Sequence, residues 1–148
     1  MAGSEGRPVV LMKAGFSAYY QEQPKYSPFF GKAHEYGALE MGQWGTAFHP
    51  EVHVEPTDFI VTKSRVSAFY NTSLESLLRA QGIERAALLG VSTTWAVEST
   101  ARDTHDRDYR VVVVEDACAA RDEEQHHASV KNMSAIASVT TVDQLENL

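Results

Sequence analysis

Arg85-Ala-Ala-Leu-Leu-Gly-Val91 and Tyr109-Arg-Val-Val-Val-Val-Glu115 bracket a stretch, Thr94 to Arg107, whose spacing predicts a helix. The four successive valines leave the second run without a polar face, as in a strand buried on both sides of a parallel sheet. Strand, helix, strand across 85–115 therefore predicts a right-handed crossover between parallel neighbours.

The alternation continues in both directions. C-terminally, Asp122 to Ile136 predicts a helix, Ala137-Ser-Val-Thr-Thr141 a short strand, and Val142 to Leu148 a terminal helical turn. N-terminally, Asn71-Thr-Ser-Leu-Glu75 opens a helix. Thr72 is its expected N-cap with Glu75 three residues on, Leu74, Leu77 and Leu78 form its apolar face, and Gly82 ends it. Asp58-Phe-Ile-Val-Thr62 and Pro8-Val-Val-Leu-Met-Lys13 read as two further strands. The fold class expected is α/β: a doubly wound, mostly parallel sheet with helices on both faces. Residues 14–56 are irregular but carry Tyr19, Tyr20, Tyr26, Phe29, Phe30, Tyr36, Trp44 and Phe48. An aromatic load of that size has to pack onto something, a pocket or a partner chain.

Composition narrows the function. The 148 residues suit one domain, and 43% apolar with 22% charged is a globular balance. Thirteen Lys and Arg against twenty Asp and Glu give a net charge of -7. That balance excludes the basic footprint of a nucleic-acid binder or of a protein held on an anionic membrane. No run is long enough to span a bilayer, and Met1 to Pro8 lacks the apolar core of a signal peptide. Cys118 is the only cysteine, so no intrachain disulfide forms and a reducing, cytoplasmic setting is expected. No cofactor is expected, and no metal: His49 and His53 are four apart, but Pro50 between them denies the helical spacing a zinc pair needs.

Ligands in doubly wound folds bind at the carboxyl ends of the strands, which singles out Thr62-Lys63 and Gly90-Val-Ser-Thr-Thr94. Lys63 reads as a desolvated amine, an acid–base group or an anion anchor; position alone favours an ordinary solvated lysine. Gly90-Val-Ser-Thr-Thr-Trp-Ala96 passes from strand to helix and offers three hydroxyls, which either cap the helix or face a developing oxyanion. A hydroxyl nucleophile, Ser92 or Thr93 with Lys63 as base, is a further option. Glu98, Asp103 and Asp106 are expected to pair with Arg102 or Arg107 on the surface, His126-His127 to sit on a solvated helix face, and Cys118 to pack as a small apolar residue.

Val61-Thr-Lys-Ser-Arg-Val-Ser-Ala-Phe69, Leu88-Leu-Gly-Val-Ser-Thr-Thr-Trp-Ala-Val-Glu-Ser-Thr-Ala-Arg-Asp103 and Tyr109-Arg-Val-Val-Val-Val-Glu-Asp-Ala-Cys-Ala119, in this order and spacing, resemble the isochorismatase-like cysteine hydrolases. That family includes nicotinamidase, N-carbamoylsarcosine amidase and ureidoacrylate amidohydrolase. The resemblance implies a Rossmann-like three-layer fold and an Asp, Lys, Cys triad. A thiolate attacks an amide carbonyl, an amine leaves, and water hydrolyses the thioester. Lys63 matches the family lysine. The nucleophile loop implies a non-proline cis peptide at Val91–Ser92, with backbone N–H groups of Ser92 and Ala96 as oxyanion donors. Phe69, Tyr70 and Trp95 would shape the pocket.

The chain departs from that pattern twice. Ala96 stands at the cysteine position, and the strand that carries the family aspartate precedes the segment matching Pro8 to Lys13. Residues 1–148 are thus expected to form a single, N-terminally incomplete domain, with the Pro8–Lys13 and Arg85–Val91 strands each lacking a neighbour. Two functions follow as expectations. One is a C–N hydrolase of small amides impaired in this chain. The other is a pseudoenzyme or assembly subunit that binds a small ligand, forms a homo-oligomer, or joins a chain supplying the missing strand.

Overall fold

The computed structural model describes residues 6–148, so the first five residues of the Met1–Pro8 segment lie outside it. The strands are β1 (Val10–Ala14), β2 (Phe59–Lys63), β3 (Arg85–Val91), β4 (Arg110–Ala119) and β5 (Ser138–Thr140). The helices are α1 (Leu74–Ala80), α2 (Glu98–Asp106) and α3 (Glu123–Met133). All strand pairings are parallel, as the valine-rich reading predicts, but they fall into two sheets: β1–β2, and β3–β4–β5. The described residues gather into two compact units, 6–65 with 70–72, and 66–69 with 73–148.

In the first unit β1 and β2 pair from Val10–Phe59 to Ala14–Lys63. The aromatic region packs partly on itself. Phe16 is fully buried and meets Phe30 edge-on at 5.7 Å. Gln23, also buried, donates from Nε2 to Gly31 O and accepts from the His34 N–H, so its amide staples two turns together. Gly31 is required there, since a Cβ would lie 2.5 Å from the Ser27 carbonyl oxygen. Tyr19, Tyr26, Tyr36 and Trp44 stay exposed.

In the second unit the core is Val97, Ala101, Val111, Val113 and Met133, with Leu88, Cys118 and Ala137 packed against it. Val111 to Val114 are all buried, as a strand covered on both faces must be. Strand β4 runs on to Ala119, past the expected end at Glu115, because β3 re-engages it beyond a bulge: Leu88 pairs with Val113, and Gly90 next with Cys118. Gly90 has φ +129, a backbone conformation that favours glycine. Asp122, extended at φ -149, caps α3 by accepting from the Gln125 N–H at 2.8 Å. At α1 the N-cap position falls on Ser73 rather than Thr72 and makes no side-chain cap bond. Strand β3 is the edge of its sheet among the described residues, and Leu89 and Val91 on it are 58% and 75% exposed.

Candidate active site

Lys63 closes β2 in the first unit. It is only 9% exposed, so the ordinary reading of a solvated strand-end lysine is corrected. Its Nζ donates to the Arg65 carbonyl at 2.9 Å. Burial holds the amine below its ordinary value of 10.5, because the charged form loses hydration. Arg65 itself donates to the Glu22 and Ser64 carbonyls and lies 5.4 Å from the centre of the Tyr70 ring. Tyr70 keeps more than half of its surface exposed.

The second segment lies wholly in the second unit. The peptide bond between Val91 and Ser92 is cis. The helix expected from Thr94 divides in two: a π-turn, Thr93–Val97, and then α2. The Val97 N–H reaches back to the Ser92 carbonyl at 3.1 Å, five residues rather than four, so one extra residue is accommodated before the α-helical register begins. Ala96 sits in this turn, half-buried, beside the half-exposed Trp95.

The three hydroxyls do not cap the helix. Ser92, at the cap position, makes no side-chain cap bond. Thr93 is fully buried, with Oγ1 2.8 Å from His126 Nδ1, and Thr94 Oγ1 accepts from Ser129 at 3.1 Å. His126 is therefore no solvated-face residue; its neighbour His127 is exposed and pairs with Glu123. Sequence periodicity could have pointed to this, since positions 126, 129 and 132 share one helix face.

The segment 66–69 is held to α2. Ser67 Oγ donates to Asp103 Oδ2, and the Ala68 N–H donates to Thr100 Oγ1 at 3.0 Å. Phe69, at 6% exposed, lies beneath Arg107. Glu98 pairs with Arg102 and Asp103 with Arg107, as expected, whereas Asp106 meets His105 at 2.9 Å. Cys118 is half-buried and donates to the Val114 carbonyl; burial pushes its thiol up. His49 and His53 are taken up by Glu51 and Glu55, and no group of three or more His, Cys, Asp or Glu able to hold a metal ion occurs among the described residues. No helix among them is long and apolar enough to cross a membrane.

Parallel strands, intervening helices and a strand–turn–helix segment define a mixed α/β protein of the isochorismatase-like class. An isochorismatase family protein from Desulfovibrio vulgaris superposes with a TM-score of 0.91 at 25% identity, covering 99% of this chain and 77% of that one. The chain belongs to the isochorismatase domain family, whose model matches residues 2–144. It is 36% identical over 149 residues to the isochorismatase family protein YecD of Escherichia coli O157:H7, covering 97% of this chain and 75% of that protein. Over 96 residues it is 38% identical to the ureidoacrylate amidohydrolase RutB of Acinetobacter baylyi, a stretch that spans 64% of this chain and 39% of that enzyme. The N-carbamoylsarcosine amidase structure from Thermoplasma acidophilum has a TM-score of 0.78 at 29% identity, covering 98% of this chain and 78% of that one.

Proposed function

We propose that this chain is an amidohydrolase-type protein for small molecules with a C–N bond beside a carbonyl, and that Ala96 removes the covalent step. The observation that carries this reading is the turn Thr93–Val97. It holds an alanine at the position where the family resemblance implies cysteine. A methyl group has no lone pair with which to attack a carbonyl, so no thioester forms at position 96. Backbone N–H groups of Ser92 and Ala96 are the proposed donors to a carbonyl oxygen. Lys63, held below its ordinary pKa by burial, is the proposed acid–base group or carboxylate anchor. Of the three aromatic residues that the resemblance assigns to a pocket, Trp95 and Tyr70 each keep exposed ring surface, whereas Phe69 is buried.

The test compares the chain with Ala96→Cys on a panel of primary amides and ureido acids, following ammonia release and, separately, ligand-induced stabilisation. The unaltered chain is expected to bind at least one carboxylate-bearing amide without turnover. The cysteine variant is expected to release ammonia from the same compound. Absence of both binding and turnover across the panel would end this reading.

A second reading, an assembly subunit, is favoured by β3. Its place at a sheet edge, with Leu89 and Val91 exposed, suits pairing with a strand from another copy or another chain. Size-exclusion chromatography with light scattering separates the readings: a stable, folded monomer counts against assembly.

A further inference from the structure

Helix α3 presents three polar side chains at intervals of three residues, two to the turn that carries Ala96 and one to the first residue of α2. His126 Nδ1 lies 2.8 Å from Thr93 Oγ1, Ser129 Oγ donates to Thr94 Oγ1 at 3.1 Å, and Asn132 Nδ2 donates to Glu98 Oε1 at 3.4 Å. The first contact differs from the other two. Thr93 has no exposed surface, so its hydroxyl cannot turn to water, and His126 is the hydrogen-bond partner the structure gives it. The Ser92 carbonyl just behind Thr93 accepts two of the bonds that shape the turn, from Trp95 N–H at 3.2 Å and from Val97 N–H at 3.1 Å, and the Thr93 carbonyl accepts from Glu98 N–H.

We infer that His126 is a positioning residue: by fixing the buried Thr93 hydroxyl it sets the π-turn Thr93–Val97 and with it the direction of residue 96 and its N–H. With the ring proton on Nε2, Nδ1 accepts from the threonine hydroxyl. The Thr94–Ser129 and Glu98–Asn132 contacts continue the same face and hold the end of the turn against α3. This inference rests on the reading of the turn as the reactive segment only for its meaning in catalysis; the structural claim stands apart from it.

Amide hydrogen exchange on the whole protein tests it. In His126→Ala, exchange at the Trp95 and Val97 amides should rise about tenfold, with the β4 core amides unchanged, since losing one buried hydrogen bond loosens its own turn first. Thr93→Val, which keeps the shape and removes the hydroxyl, should do the same. His126→Asn places an acceptor oxygen near the position of Nδ1 and should restore protection. Unchanged exchange at 95 and 97, a uniform rise throughout the second unit, failure of His126→Asn to restore protection, or failure of both His126→Ala and Thr93→Val to fold would each overturn the proposal. Restored protection alongside an Ala96→Cys variant that releases no ammonia would leave the positioning role intact and remove only the hydrolase reading.

Discussion

The Arg107 guanidinium lies 4.4 Å from the centre of the Phe69 ring. The same side chain reaches Glu75 at 3.0 Å and Asp103 at 3.5 Å, and its Nη1 donates to the Asp103 carbonyl at 3.1 Å. One planar cation thus joins the 66–69 segment, α1 and α2.

Replacing Arg107 by alanine should lower stability by about 1–2 kcal/mol, as one partly buried cation–π contact and its shared hydrogen bonds disappear together. Arg107→Lys should fall between, because an ammonium cannot stack and fork at once. Denaturant unfolding followed by circular dichroism checks both. A loss no larger than that of an exposed surface arginine would show that the Phe69 contact contributes little.

Tyr109 supplies the opposite case. Its hydroxyl is buried and, among the described residues, has no hydrogen-bond partner, while Arg79 lies 4.5 Å from its ring centre. Tyr109→Phe keeps the ring and removes the unsatisfied group, so it should raise stability by about 1 kcal/mol. A lowered melting temperature would mean that the hydroxyl finds a partner after all.

Lys63 predicts a pH dependence. Its folded amine titrates below 10.5 because burial disfavours the charged form. Between that lowered value and 10.5 the unfolded chain binds more protons than the folded one, so stability rises with pH across this alkaline window. Below the window the penalty on the charged amine is present in full. In Lys63→Met the rise should flatten, and nitrogen-15 NMR of the lysine side chains should place Lys63 below the exposed lysines. Equal midpoints for all the lysines would remove the basis for this prediction.

Cys118 should be a sluggish thiol. Burial pushes its pKa up; the Gly90 backbone hydrogen bond pulls the other way and Asp116 raises it again. With less thiolate at pH 8, alkylation by iodoacetamide should be about tenfold slower than for a free cysteine peptide. The contrast gives a clean background for Ala96→Cys, whose new thiol can be read separately in a Cys118→Ser chain.

The amino-acid sequence by itself determined the element order and the parallel pairing. Strand and helix periods are local properties: the Val111–Val114 run can be satisfied only between two covered faces, and Asp122 three residues before Gln125 caps a helix without outside help. It also drew attention to Lys63 and to the turn at 91–96, through the strand ends on which they sit. The tertiary structure alone decided what each side chain meets. His126 and His127 are adjacent and identical in sequence, yet the first hydrogen-bonds the buried Thr93 and the second pairs with Glu123. Lys63 is buried although most strand-end lysines are not. Phe69 lies under Arg107, thirty-eight positions away. Burial and pairing depend on atoms brought together from distant positions, and a hydroxyl or an amine changes its chemistry only when those atoms displace water from around it.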